Sequence, residues 1–140
     1  MKVFLDTNIL IDFISGRKPF ADDSMVFFQL AYDGEIELMV SDLTIVNTVY
    51  ILHRLHYSQT DIYETLEEIN TLLTITPIGA ETINYCLRGR YHDFEDAVQY
   101  YSALKAGADY VITRNGKDFP PDATNVLSPL DFFRKNNITF

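Results

Sequence analysis

The chain alternates short apolar stretches with longer amphipathic ones, and this alternation restricts the possible fold more than any other feature of the sequence. The short stretches predict five strands, at residues 3–5, 35–40, 74–78, 110–112 and 125–127. The stretches between and after them predict helices which, with their caps, cover residues 8–14, 22–32, 41–55, 58–73, 81–89, 93–106 and 131–135. Strands that alternate with helices predict an α/β fold of three layers, in which helices cover both faces of a mainly parallel sheet. Pro77 predicts an edge position for the third strand, because proline cannot donate a hydrogen bond to a neighbouring strand.

Length and composition predict one globular domain over residues 1–140. A hydrophobic content of 47% in 140 residues is too high for a disordered chain and sufficient for a packed core. Cys86 has no second cysteine to pair with, and we interpret it as a buried core residue of a protein in the reducing cytoplasm. No stretch approaches the roughly 18 apolar residues of a membrane span, so we expect no membrane contact.

The charge balance restricts how the protein can meet nucleic acid. The chain has 20 acidic and 11 basic residues and a formal net charge of −9. Proteins that bind nucleic acid through bulk basicity need Lys and Arg to displace the counterions of the phosphates. The composition therefore argues against such a binder, but it leaves open a protein that gathers carboxylates around metal ions.

Small polar and acidic residues follow three of the predicted strands. Open parallel sheets bind their ligands beyond the carboxyl ends of the strands, at the point where the strand order reverses. Carboxylate, amide and hydroxyl oxygens suit Mg²⁺ or Mn²⁺ better than Zn²⁺. The residues are Asp6, Thr7 and Asn8 after the first strand, Ser41 and Asp42 after the second, and Thr113, Arg114, Asn115 and Asp118 after the fourth.

Each acidic residue also has a purely structural interpretation. Asp6 is equally well explained as a helix cap. Asp93 can cap the sixth predicted helix, and Asp96 then lies beside the positive end of its dipole. Asp118 can hold the turn before Pro120. The prediction of a metal site therefore depends on the joint placement of these residues and not on any one of them.

Three segments resemble, in the same order, the motifs of PIN-domain proteins of the VapC toxin kind. Residues 4–10 (FLDTNIL) resemble the opening strand, residues 93–97 (DFEDA) the acidic helix start, and residues 110–119 (YVITRNGKDF) the late strand and turn. The resemblance runs over nearly the whole chain. It implies a PIN-like three-layer α/β/α fold and an endoribonuclease that depends on Mg²⁺ or Mn²⁺, the toxin of a toxin–antitoxin pair. It also implies an RNA substrate, a small DNA-binding antitoxin protein as partner, and a homodimer.

The resemblance assigns roles to individual residues. It implies metal-binding, catalytic carboxylates at three positions and a catalytic supporting contact from Asn115. Asn8 and Thr113 would orient ligands or water by hydrogen bonding, and Asp93 is a weaker candidate that also caps its helix. The three carboxylates are Asp6, Asp96 and Asp118.

Asn47 departs from the pattern, because the family usually carries a glutamate metal ligand at this place. Its amide oxygen can ligate a metal but brings no charge and cannot act as a base. A buried, hydrogen-bonded asparagine is an equal alternative. The departure predicts a weaker metal site, above all for a second ion.

Basic and aromatic residues complete the predictions. We expect RNA phosphates to contact Arg114 and Lys117, and by the same reasoning Arg17 and Lys18, with solvated surface charges as the alternative. We interpret three tyrosines as core aromatics and not as surfaces on which bases stack. They are Tyr50, Tyr100 and Tyr101.

Two other functions compete with the ribonuclease. The first is a PIN-like module, weakened at Asn47, that binds RNA or a protein partner without cleavage. The second is an aspartyl-phosphate enzyme with Asp6 as nucleophile, although Asn8 stands where such enzymes place the Asp that serves as general acid.

Overall fold

A computed structural model describes residues 1–139, which form one five-stranded parallel sheet and seven α-helices. The strands are β1 (Lys2–Leu5), β2 (Glu37–Ser41), β3 (Leu73–Thr76), β4 (Tyr110–Ile112) and β5 (Val126–Leu127). The helices are α1 (Thr7–Ser15), α2 (Ala21–Tyr32), α3 (Asp42–Arg54), α4 (Gln59–Asn70), α5 (Gly79–Gly89), α6 (Phe94–Lys105) and α7 (Pro129–Lys135). The predicted α/β class and the five strands are confirmed.

The strand order is β3-β2-β1-β4-β5, and every neighbouring pair is parallel. From β1 the chain first extends the sheet on one side through β2 and β3, and then returns to add β4 and β5 on the other side. The reversal lies between β1 and β4, where Leu5 is paired with Ile112. The residues that directly follow this pair, Asp6 and Thr113, are therefore neighbours at the edge where a ligand site is expected.

Both faces of the central strand β1 are buried, which explains why its last three residues are all apolar. On one face Val3 and Leu5 belong to the core cluster that contains Phe27 and Phe132 of α2 and α7. On the other face Phe4 packs in a cluster with Tyr100 and Ala103 of α6, among others. Successive β1 side chains thus point to opposite faces, and the predicted three layers are confirmed.

Several predicted boundaries were wrong by a few residues. The third strand ends at Thr76 and not at residue 78, because Pro77 lacks the N–H that would continue the ladder. Its predicted edge position is confirmed. The helix predicted at 58–73 ends at Asn70, since Leu73 is already paired with Leu38 of β2. The turn expected before Pro120 is present as a short 3₁₀ helix at Gly116–Asp118.

A buried polar network joins the helices that surround the reversal point. The Thr44 hydroxyl lies 2.9 Å from that of Thr7 and accepts a hydrogen bond from the Ser41 hydroxyl at 3.2 Å. The amide nitrogen of Gln99 donates to Thr44 at 2.8 Å and to Thr7 at 3.3 Å. Because these residues belong to α1, α3, α6 and the end of β2, the network fixes how the helices approach each other beneath the site.

A buried ion pair ties the loop after β4 to α1. Asp12 lies inside α1 with 0% of its surface exposed. The Arg114 guanidinium donates to its two carboxylate oxygens at 2.8 and 3.2 Å and lies 3.9 Å from the centre of the Phe20 ring. This bidentate contact anchors the segment that carries Asn115 and Asp118.

Replacing one or the other member of this ion pair should lower the free energy of unfolding by different amounts. Arg114→Met leaves a wholly buried carboxylate without its cation, so the free energy of unfolding should fall by about 3 kcal/mol. Asp12→Asn keeps a hydrogen-bond acceptor, and the arginine is still 21% exposed, so the loss should be about 1–2 kcal/mol. Urea denaturation measures both.

Lys18→Met is the matched control. Lys18 pairs with Asp22 at 3.0 Å, but both side chains are more than 70% exposed. Its replacement should change stability by less than about 0.5 kcal/mol. An equal loss in Lys18→Met and Arg114→Met would contradict a special role for the buried pair.

Candidate functional site

A cavity of about 420 Å³ opens at the carboxyl ends of β1 and β4. It brings together residues from α1, α3, the start of α6 and the loop after β4. Seven of the acidic and amide residues that the sequence predicted for the site line the wall of this cavity. They are Asp6, Asn8, Asn47, Asp93, Asp96, Asn115 and Asp118.

Asp6 is held rigidly at the base of the site. It is 5% exposed, and its two carboxylate oxygens accept hydrogen bonds from the Thr7 backbone N–H and the Thr113 hydroxyl, each at 2.8 Å. Burial raises the pKa of Asp6, and the hydrogen bonds from Thr113 and Thr7 oppose the increase. The predicted supporting contact of Thr113 is thus present as a bond to Asp6, and Asp6 also caps α1. The metal-ligand and cap interpretations of Asp6 are therefore compatible.

The tightest group of carboxylates contains Asp93, which the sequence ranked as a weaker candidate. One oxygen each of Asp93, Asp96 and Asp118 lie within 4.8 Å of one another. Asp93 also accepts a hydrogen bond from the Asp96 backbone N–H at 3.0 Å, so its predicted role as N-cap of α6 is confirmed. Because capping occupies one oxygen, the other remains for a ligand.

The crowding of negative charge changes the acidity of the site. Burial raises the pKa of Asp96 to about 7, and the charges of Asp6, Asp93, Glu95 and Asp118 contribute to the increase. Burial and the charges of Asp6 and Asp93 likewise raise the pKa of Glu95. The carboxylates are thus close enough to destabilise one another when no cation is bound.

Asn47 is paired with a carboxylate that the sequence interpretation left without a role. Its side-chain amide on α3 donates to a Glu95 oxygen on α6 at 3.1 Å. Glu95 lines the same cavity. The only hint in the sequence that Glu95 belongs to the site is that it directly precedes Asp96. Consecutive residues of a helix point about 100° apart, so the sequence does not show which of the two faces the cavity.

Two expectations for aromatic and basic residues need correction. Tyr50 is not a core residue: 62% of it is exposed and it forms part of the cavity wall, whereas Tyr100 is buried as predicted. Arg114 is not a solvated surface charge, because its Nε and Nη2 bind Asp12 and only 21% of the side chain is exposed. Its phosphate contact stays a prediction that involves the remaining N–H groups. Lys117 is exposed beside Asp118, and its phosphate contact stays a prediction. Lys18 is paired with Asp22.

The donor set of the cavity fits a hard divalent cation. Its wall carries five carboxylates, from Asp6, Asp93, Glu95, Asp96 and Asp118, and three side-chain amides. Among the described residues that line it, none is basic, so the protein itself provides no positive charge to balance them there. Oxygen-only ligands of this kind are those that Mg²⁺ and Mn²⁺ prefer.

Comparison with known proteins gives consistent matches over most of the chain. The family model described as "PIN domain" matches residues 2–117. Ribonuclease VapC1 of Aquifex aeolicus is 23% identical over 97% of this chain and 96% of its own length. A second protein of that organism, a VapC ribonuclease, is 32% identical over 78% of this chain and 84% of its own length.

A solved structure agrees with the fold. A chain of a toxin–antitoxin complex from Klebsiella pneumoniae superposes with a TM-score of 0.67 and is 25% identical. The match covers 91% of this chain and 97% of that one. No helix within residues 1–139 is long and apolar enough to cross a membrane.

Because the pKa of Asp96 is raised, replacing this carboxylate by a neutral amide should change the stability of the protein by an amount that depends on pH. The metal-free folded protein holds this proton up to about pH 7, whereas the unfolded chain releases it near pH 4. Stability from this group is therefore fully present below pH 4 and is lost as the pH rises to 7. In EDTA, Asp96→Asn should raise the free energy of unfolding by about 1–2 kcal/mol at pH 8, with a smaller gain at pH 5.

Urea denaturation at the two pH values measures this difference. Glu64→Gln, on the exposed face of α4, is the control and should change stability by less than about 0.5 kcal/mol at either pH. A gain from Asp96→Asn that is the same at pH 5 and pH 8 would show that its carboxyl titrates normally.

Proposed function

We propose that this chain, which belongs to the PIN domain family, is an endoribonuclease that depends on Mg²⁺ or Mn²⁺ and acts as the toxin of a toxin–antitoxin pair. One observation carries the proposal: five carboxylates converge on one cavity at the reversal point of a parallel sheet. Two relatives with ribonuclease names match most of the chain and support RNA as the substrate.

The chemistry follows from what hydrolysis of a phosphodiester requires. Divalent ions lower the pKa of water, screen the phosphate and stabilise the leaving oxygen. Asp93, Asp96 and Asp118 would hold the cation, since their oxygens already lie within 4.8 Å of one another. Asp6 would bind from the base of the cavity, where its hydrogen bonds prevent it from rotating away.

The amides of the cavity provide neutral hydrogen-bonding groups. Asn8 and Asn115 line the wall next to the carboxylates. The Asn115 backbone N–H donates to the Thr113 hydroxyl at 3.0 Å, which in turn donates to Asp6. This chain of bonds links the position of Asn115 to that of Asp6, so its side chain is well placed to orient water or a phosphate oxygen.

The charge of the site makes RNA binding depend on the cation. Five carboxylates would repel a phosphate in the absence of metal, and the cavity wall contributes no basic side chain in the described part of the chain. Lys117, exposed beside Asp118, is the residue we assign to a flanking phosphate. RNA should therefore bind weakly in EDTA and more tightly with a divalent ion.

The biological setting is part of the proposal. A chain of a toxin–antitoxin complex shares this fold at 25% identity over 91% of the present chain, which supports a small antitoxin protein as partner. A homodimer and a cytoplasmic location complete the hypothesis. Co-purification with the product of a neighbouring short open reading frame tests the partner.

Loss of a single carboxylate should abolish cleavage. Asp6→Asn and Asp96→Asn each remove a cavity charge while they preserve side-chain shape, and turnover of single-stranded RNA with Mn²⁺ should fall at least about 100-fold. Growth toxicity on expression should disappear as well. A gel assay with end-labelled RNA measures the cleavage.

Glu64→Gln removes an exposed acid outside the cavity and should cleave like the wild type. EDTA should stop the wild-type reaction, and excess Mn²⁺ should restore it. If the wild type instead binds RNA tightly without cutting it, and Asp96→Asn binds equally well, the chain is a binding module and the ribonuclease proposal is wrong.

A further inference from the structure

Glu95 is the one cavity carboxylate to which the preceding assignments give no task. It lies in the first turn of α6, two residues after the cap Asp93. An exposed glutamate at this place commonly extends into solvent, where it still interacts favourably with the helix dipole. Here its side chain is instead held towards α3 by the Asn47 amide at 3.1 Å.

The contact joins two walls of the cavity that are far apart in sequence. Asn47 and Glu95 are 48 residues apart, and both line the cavity with Asp6. The amide nitrogen of Asn47 is used for Glu95, so its carbonyl oxygen remains available as an acceptor. Glu95 likewise retains one carboxylate oxygen without an assigned partner in the described contacts.

A purely structural hydrogen bond does not explain this arrangement well. An exposed amide–carboxylate pair contributes little to stability, and Glu95 is placed where the negative charges of Asp6 and Asp93 act on it. Positioning a fifth carboxylate among others is unfavourable unless a cation binds there. The compact group of Asp93, Asp96 and Asp118 accounts for one such cation and includes neither Asp6 nor Glu95.

We propose that Glu95 is a ligand of a second divalent cation, shared with Asp6, and that Asn47 positions it by hydrogen bonding. The carboxylate that the family resemblance placed on α3 is thus replaced by one from α6, and α3 contributes the neutral amide of Asn47 instead. This inference rests on the proposed metal-dependent function and identifies which residues bind the second ion. Paired ions about 4 Å apart are a common arrangement for phosphodiester hydrolysis.

Calorimetric titration of the whole chain with Mn²⁺ alone tests the proposal without any reading of activity. The wild type should bind two ions. Glu95→Gln keeps a hydrogen-bond acceptor for Asn47 but removes the charge, so the weaker of the two sites should lose at least about tenfold in affinity. Asn47→Ala keeps the charge but releases the side chain, and a smaller loss at the same site is expected.

An exchange of the two groups provides a positive test. Asn47→Glu combined with Glu95→Gln moves the carboxylate to α3 and the amide to α6, and it should recover most of the lost affinity. A structural hydrogen bond without metal binding predicts no change in Mn²⁺ affinity in any of these variants. Melting temperatures in EDTA check that each variant is folded, and Glu95→Gln should be at least as stable as the wild type because it removes a like charge.

Two further variants separate this inference from the proposed function. Glu64→Gln, an exposed acid outside the cavity, should bind Mn²⁺ as the wild type does, whereas Asp96→Asn should lose the tighter site. If Asp96→Asn weakens binding and Glu95→Gln does not, the role of Glu95 is refuted and the metal site stands. If the wild type binds no Mn²⁺, the proposed function itself is refuted.

Discussion

The rest of the site depends on Asp6 and on the hydrogen bonds that hold this buried residue. Its backbone N–H continues the ladder to Ile112 at 3.0 Å, and its side chain accepts from Thr7 and Thr113. One residue therefore joins β1, the start of α1 and the segment after β4. Since an unpartnered carboxylate would be costly at this depth, these hydrogen bonds are needed for stability as well as for position.

The acidic composition has a different meaning once the fold is known. A formal net charge of −9 argues against a protein that binds nucleic acid through bulk basicity. The structure shows that five of the acids meet in one cavity, whereas Glu64 and others lie on exposed helix faces. Burial and the mutual repulsion of these carboxylates raise the pKa of Asp96 to about 7, and this unfavourable arrangement is the physical reason to expect a bound cation.

Much of the fold could be predicted because its signals are local. Apolar runs predict strands that are buried in the sheet. Ser41 and Asp93 stand at predicted helix starts, and each accepts a backbone N–H of the first turn as a cap does. The predictions were wrong where contacts between distant parts of the chain determine the structure. Leu73 continues the apolar stripe of α4, but its pairing with Leu38 places it in β3. Tyr50 is an aromatic residue of a type often found in cores, and only the packing of α3 shows that its side chain is exposed.

By itself the sequence determined the layers, the edge strand and the set of polar residues at the carboxyl ends of the strands, because strand period, proline chemistry and helix capping act within a few residues. Only the tertiary structure decided which of these residues meet. It placed Asp93 within the carboxylate group, directed Glu95 towards Asn47, and joined Arg114 to Asp12 across 102 residues. Such contacts depend on how helices are oriented around the sheet, and a helical residue's neighbours across space cannot be deduced from its neighbours along the chain.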